Sequence, residues 1–470
     1  MDTSLNEAPT QAMREEKKKL RRVFRRFDMV VFTVTAIIAL NALGAFSAYG
    51  AQALTWLLLS ALTFFLPYGL LVAELGSSFP QEGGVYVWCK LAGGRLYAAF
   101  AATLYWIFAP LWLGGVAVFG IIAALKTFWF GNTSYLFGGR PLTDALIELA
   151  IALLLIWGII AGAIISLSRG KWISTTGFFA KLALLAIFLV LAAIFVVSGA
   201  GKGAHFGVAD LVPSNWGLVV SGILPVLIFL WLGLEAQSSA AEEMVNAQRD
   251  VPRAILRAGA IVAVVYGLFL LAILLALPRS QLSVVGGFFN AFTAVSRVLP
   301  VSLAAALGWL VALCFAASIF ASNVTFLIAA SRTYAIAALD GAAPLRLGRF
   351  SGRQGTPIAA CLLVGILATV TAVAAILVGI SGSETIGLLF TQGLSACIVI
   401  TILAYLLIIP TALVLRYKYP GVPRRYRVPG GLLGAWIATL LPMAYAGIAC
   451  FFLLVPSGAY LQINHLDRGT

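Results

Sequence analysis

Apolar residues in this chain gather in long runs, not in the alternating or 3.6-residue stripes of a water-soluble domain. Runs of about 20 residues are the length at which a helix crosses a hydrocarbon layer. They predict eleven spans, at residues 29–49, 54–75, 96–125, 142–167, 172–197, 218–239, 254–277, 303–338, 357–378, 384–415 and 432–455. The runs at 96–125, 303–338 and 384–415 exceed the thickness of the layer and predict tilt or extension into water. Two spans are interrupted from within. The first contains Asn41-Ala-Leu-Gly44-Ala-Phe-Ser47-Ala-Tyr-Gly50, the second Trp231-Leu-Gly233-Leu-Glu235-Ala-Gln237-Ser238-Ser239. Irregular backbone at membrane depth persists only where protein or a water-filled cavity satisfies its polar groups. A pair of interrupted spans in corresponding halves of a chain points to the site of a secondary transporter.

Composition agrees with a bilayer as the main solvent. Of 470 residues, 61% are hydrophobic and 10% charged, with a mean hydropathy of +1.02, more apolar surface than a soluble domain could cover. A net charge of +14 is of the sign that attracts nucleic acid, but its distribution argues against that partner. The basic residues occupy short loops and one stretch, Lys17-Lys-Lys-Leu-Arg21-Arg-Val-Phe-Arg25-Arg26. With the N-terminus in the cytoplasm, 24 of the 31 lysines and arginines fall on that side and six on the other, Lys181 lying inside a span. That is the positive-inside pattern of a multi-pass protein of the cell membrane. The polar leader 1–26 is too long and charged for a cleavable signal peptide.

The polar residues inside the runs carry the candidate chemistry. At the first interruption, Gly44 permits unusual backbone angles and close approach of a ligand, and unwinding there would expose helix-start amides suited to a carboxylate. Equally, Gly44 and Ala45 would let helices pack closely. Glu235 costs about 3 kcal/mol at the centre of a membrane helix, which marks it as functional, either a proton carrier or an acceptor tying an unwound segment to another helix. Lys181 either reaches back to the near interface or projects its ammonium into the bundle. Glu74, at the end of the second span, reads as a salt-bridge partner, and Pro80 with Gly83-Gly84 predicts a turn or re-entrant loop. Ser322-Asn323 and Phe326 in the eighth span, and Thr391-Gln392-Gly393 breaking the tenth, are candidates for a cavity lining. The five cysteines are scattered without metal-ligand or disulfide spacing, and His205 and His465 sit in polar connections. No cofactor or metal is implied. An enzyme would need a nucleophile–base or metal constellation within the spans, and a channel would need a continuous polar stripe.

Taken in order, several motifs resemble the amino acid–polyamine–organocation family of permeases. They are Asn41-Ala-Leu-Gly44, Phe79-Pro80…Gly83-Gly84-Val-Tyr86, Gly233-Leu-Glu235 with Asn246…Asp250-Val-Pro252, Ser331-Arg332-Thr-Tyr334-Ala…Asp340-Gly341-Ala-Ala-Pro344, Thr356-Pro357 and Tyr426-Arg427-Val-Pro429-Gly430. The resemblance implies an all-α polytopic membrane protein with the leucine-transporter-type fold, in which two inverted repeats of five spans surround a midplane site. Residues 1–27 would form a basic cytoplasmic segment and 28–456 the transporter domain. Within that domain the repeats would be 28–198 and 216–416, with an additional helix at 431–456 and a short tail at 457–470. Many such permeases have twelve spans, so a twelfth would be missing here.

By the same resemblance Asn41, Ala42, Gly44 and Ala45 lie beside the substrate. Phe229 matches an aromatic gate, Gly233 and Glu235 match the second break, and Phe326 and Thr391 match cavity-lining positions. Lys181 matches a lysine whose ammonium takes the place of a sodium ion in sodium-independent members. The function implied is sodium-independent, proton-coupled movement of amino acids or related organic amines by alternating access. A polyamine or organic-cation carrier, or an amine exchanger, is the alternative. Phe46, where many members have a second glycine, would crowd the amides that cradle a carboxylate, so the cargo need not be a standard α-amino acid. The partners would be the cargo, the proton and the lipid bilayer; the residues leave the oligomeric state open.

Overall fold

The computed structural model describes residues 11–20, 22–130, 141–165, 167–199, 207–212, 216–277, 287–380 and 386–454. Ten helices among them are long and apolar enough to cross a membrane. They are Gln52–Ser78, Gly84–Phe128, Leu142–Ile164, Lys171–Val197, Trp216–Glu243, Ala247–Ala276, Val301–Leu339, Ile358–Val378, Gly393–Lys418 and Gly431–Leu454, hereafter spans 2 to 11. A bent pair, Arg26–Ile37 with Ala42–Tyr49, turns through 50° and forms span 1. The described residues contain no strand beyond an isolated parallel bridge between Phe24 and Met244.

Span 3 starts earlier than its apolar run because a lead-in helix from Gly84 merges with it across Gly94, whose φ of +85° breaks the helical path. The expected turn before it is formed by residues 79–83. Gly83 has a φ of +82°, and a Cβ there would lie 2.8 Å from Ile336, so only glycine fits. Thr391-Gln392-Gly393 interrupts the apolar run of span 10 but not its backbone: the helix Ile386–Ile408 runs through it. No proline stands there to remove a backbone donor, and one glycine inside a helix costs only about 1 kcal/mol.

Packing follows the internal duplication. Span 8 lies along span 5, span 10 along span 3, and span 2 along span 7. Adding five to each number turns the 3–10 pair into the 8–5 pair and maps the 2–7 pair onto itself, as two exchanged five-span repeats require. Span 11 packs outside the repeats against spans 2 and 10.

The end of the bundle that carries the N-terminal segment is closed by ion pairs. Arg26 binds Asp250 at 2.5 Å and Lys17 binds Glu242 at 2.5 Å. Glu74 takes Arg416, Arg424 and the Val428 amide, the salt-bridge role expected for it. The fully buried Arg332 donates to Glu243 at 2.7 Å and lies 3.3 Å from Glu82. The amides of Val23 and Phe24 both donate to the Glu243 carbonyl, binding the N-terminal segment to the end of span 6.

Candidate functional site

Both interrupted spans do unwind, and the breaks lie side by side. Span 1 breaks at Ile38 and Ala39, ahead of Gly44, where the sequence placed it. No glycine is required, because Ile38 has an ordinary φ of −65°. What a break requires is partners for the backbone groups it frees. Tyr266 of span 7 supplies two: its hydroxyl donates to the Ile37 carbonyl at 2.9 Å and accepts the Ala39 amide at 3.1 Å. Lys181 of span 5 supplies the rest. Its buried ammonium donates to the Thr35 carbonyl at 2.7 Å, the Ile38 carbonyl at 2.6 Å and the Ser322 hydroxyl of span 8 at 2.8 Å. The lysine therefore points into the bundle and does not snorkel.

Span 6 breaks after Trp231. Gly233 holds a φ of +114°, and a Cβ on it would meet Ile37 Cγ1 at 3.1 Å, so close approach of the two breaks depends on that glycine. Just beyond, the fully buried Glu235 accepts three tyrosine hydroxyls: Tyr68 at 2.7 Å, Tyr105 at 2.9 Å and Tyr405 at 2.5 Å. These come from spans 2, 3 and 10, so one carboxylate joins span 6 to both repeats.

Between the breaks lies an open cavity. Its walls come from Ala36–Leu40 of span 1, Phe229, Leu232 and Gly233 of span 6, and spans 3, 8 and 10. Of the residues expected at the site, Phe229, Gly233 and Phe326 line it directly. Lys181 and Glu235 sit one bond behind the wall, through Ser322 and through Tyr105 and Tyr405. Ala42 and Gly44 are not part of the lining. Gly44 is instead a packing position, where a Cβ would come within 3.3 Å of the Phe288 backbone. The side chains of Asn41, Ala45 and Thr391 lie outside the described residues, as do His205 and His465.

Sequence reasoning passed over the tyrosines and, of the aromatic wall, Phe108 and Trp112. Phe108 and Trp112 of span 3 line the cavity beside Phe229, with ring centroids 6.0 and 5.1 Å from it, and Phe326 lies 5.0 Å from Phe108. Tyr68, Tyr105, Tyr266 and Tyr405 carried a readable signal. A buried tyrosine hydroxyl in an apolar run needs a partner, and Glu235 was the acid available to three of them. Among the described residues no cluster of histidine, cysteine, aspartate and glutamate could hold a metal ion.

The amino acid permease family model matches residues 24–465, nearly the whole chain. The chain belongs to the amino acid permease family. It is accordingly a multi-span membrane transporter and not an enzyme. A probable agmatine/putrescine antiporter of Lactococcus lactis is 28% identical to the permease, covering 92% of this chain and 88% of that one. A glutamate/gamma-aminobutyrate antiporter of the same species is 25% identical, over 85% of this chain and 77% of its own length. Among solved structures, MhsT in complex with L-phenylalanine matches with a TM-score of 0.66 at 17% identity, over 92% of this chain and 99% of that one. An Eremococcus coleocola manganese transporter matches at 0.60 and 14%, over 94% and 90%. These likenesses show the fold, the leucine-transporter type expected from the motifs.

Proposed function

We propose that the permease moves amino acids or related organic amines by alternating access, without sodium and coupled to protons, with its N-terminus in the cytoplasm. The Lys181 ammonium carries the sodium-independent part of this reading. Thr35 O, Ile38 O and Ser322 Oγ converge as a set of oxygen ligands for a cation would, and all three are bonded to one resident ammonium. A mobile sodium ion would have to displace it. Glu235 is the candidate proton carrier. It lies behind the cavity wall, and two of its three hydroxyl partners, Tyr68 and Tyr105, belong to the first repeat, which must shift against span 6 if the two repeats rock.

The ion pairs at the N-terminal end act as the cytoplasmic gate in this reading, and they must part for the cavity to open inward. Exchange of one organic amine or amino acid for another is the second reading. It is favoured by the names of the two relatives, one an agmatine/putrescine and one a glutamate/gamma-aminobutyrate antiporter. Uptake of labelled leucine and labelled putrescine into proteoliposomes separates these readings. Sodium-independent uptake into empty vesicles under an imposed proton gradient supports the first. Uptake only into vesicles preloaded with cargo supports exchange, and a strict sodium requirement contradicts the role of Lys181.

A further inference from the structure

The side chains of the cavity wall are rich in hydrogen-bond acceptors and poor in donors, and that asymmetry names a cargo. Each hydroxyl or amide side chain on its wall directs a proton away from the cavity. Ser318 donates to the Phe315 carbonyl at 2.8 Å and Ser322 to Ser318 O at 2.7 Å. Asn323 donates to Ile319 O at 2.8 Å and Thr401 to Cys397 O at 2.6 Å. Tyr105 and Tyr405 donate to Glu235. A hydroxyl that has spent its one proton can only accept. The donors these side chains keep are the second Asn323 N–H and, beside them, the Trp112 indole.

Two of the groups that would receive a carboxylate are committed as well. The three N–H bonds of Lys181 go to Thr35, Ile38 and Ser322. At the span 1 break, where a carboxylate would seek a free amide, the Ala39 N–H is given to the Tyr266 hydroxyl. No lysine, arginine or histidine lines the cavity among the described residues. The remaining wall is aromatic, with Phe108, Trp112, Phe229 and Phe326 in mutual contact. Aromatic faces attract ammonium groups and repel carboxylates.

Building on the transporter reading above, we infer that this cavity selects a cationic primary amine that carries no carboxylate, with an otherwise apolar or aromatic body. The ammonium is all donor and meets the outward lone pairs of the wall hydroxyls. The body lies against the aromatic side. An α-amino acid with the same side chain brings a carboxylate for which the wall offers no cation and, among its side chains, few free donors.

Two matched pairs test this on the full-length purified protein: isoamylamine against leucine, and phenethylamine against phenylalanine. Each is measured by equilibrium binding in detergent and by uptake into proteoliposomes. The expected result is that both amines bind at least about tenfold more tightly than their parent amino acids, the scale of one hydrogen bond to a charged group. Thr401→Val, which removes one wall acceptor and keeps the shape, should weaken amine binding several-fold. Tyr266→Phe, which releases the Ala39 N–H, should narrow the preference for the amine. If the parent amino acids bind as tightly as the amines or more so, the inference is overturned, while the transporter reading stands on their uptake. Amines that bind but are not taken up uphold the inference and contradict the transporter reading. If no member of either pair binds, the inference is overturned.

Discussion

The Tyr405 hydroxyl lies 2.5 Å from Glu235 Oε1, joining span 10 to the residue that follows the span 6 break. With Tyr68 and Tyr105 on the same carboxylate, Glu235 would register any movement of spans 2, 3 and 10 against span 6. Removing one donor by Tyr405→Phe leaves two, so the site should survive with weakened coupling. A hydrogen bond to a charged group contributes about 1.5–3 kcal/mol, so uptake driven by a proton gradient should fall roughly tenfold. Exchange of cargo across the membrane should fall much less. Equal loss of both in a stable variant would remove Tyr405 from proton coupling.

Lys181→Ala should abolish uptake and lower the thermal stability of the purified protein. The change leaves the Thr35 and Ile38 carbonyls buried without their shared donor, at about 1–3 kcal/mol for each unsatisfied group. Melting in detergent, followed by tryptophan fluorescence, measures the stability term. A variant that melts like the parent and still takes up cargo under a proton gradient would show that the ammonium is dispensable.

Gly233→Ala places a Cβ 3.1 Å from Ile37 at a φ of +114°. Holding alanine in that conformation costs about 1–3 kcal/mol, and relief of the strain would push the two breaks apart. Binding should weaken more than overall stability, which parallel titration and melting curves would show. Phe229→Ala, which removes the ring beside Trp112 and Phe108, should raise the Kd through lost cover of the cavity while leaving the melting temperature nearly unchanged.

Glu82 gives the N-terminal end a pH dependence. It lies in the loop before span 3, fully buried, facing Glu243, Glu242 and Arg332, with Lys17 on Glu242. Burial, reinforced by the Glu243 charge, pushes its carboxyl well above the usual carboxylate range, against the opposing pull of Arg332. A raised pKa in the closed arrangement means that closure is favoured when the group is protonated. That contribution is fully present below the ordinary carboxylate pKa and is lost as pH rises through the raised one. Hydrogen exchange of residues 17–26, expressed as the ratio of the parent to Glu82→Gln, should therefore increase with pH. A ratio independent of pH would remove Glu82 from the gate.

The eleven spans were readable because each needs only a long apolar run, and the bilayer supplies that constraint without any tertiary information. Glu235 and Lys181 were readable for the same reason, since charge inside such a run has to be explained. The position of the first break was not. Gly44 looked like the weak point of span 1, yet the break occurs at Ile38, where Tyr266 and Lys181, distant in sequence, meet the freed backbone groups. A local signal marks where a helix is able to break; its partners decide where it does. The span 3 part of the aromatic wall was hidden likewise, because Phe108 and Trp112 look like ordinary membrane residues until span 3 is placed beside span 6.

Proton coupling through Glu235 is the central claim, and luminal pH tests it most directly. Proteoliposomes loaded with a pH-sensitive dye, in sodium-free buffer and with the membrane potential clamped, are given isoamylamine or leucine from outside. The parent protein should acidify the lumen as cargo enters, and Glu235→Gln should let cargo exchange without moving protons. Acidification by Glu235→Gln at the rate of the parent would contradict the account.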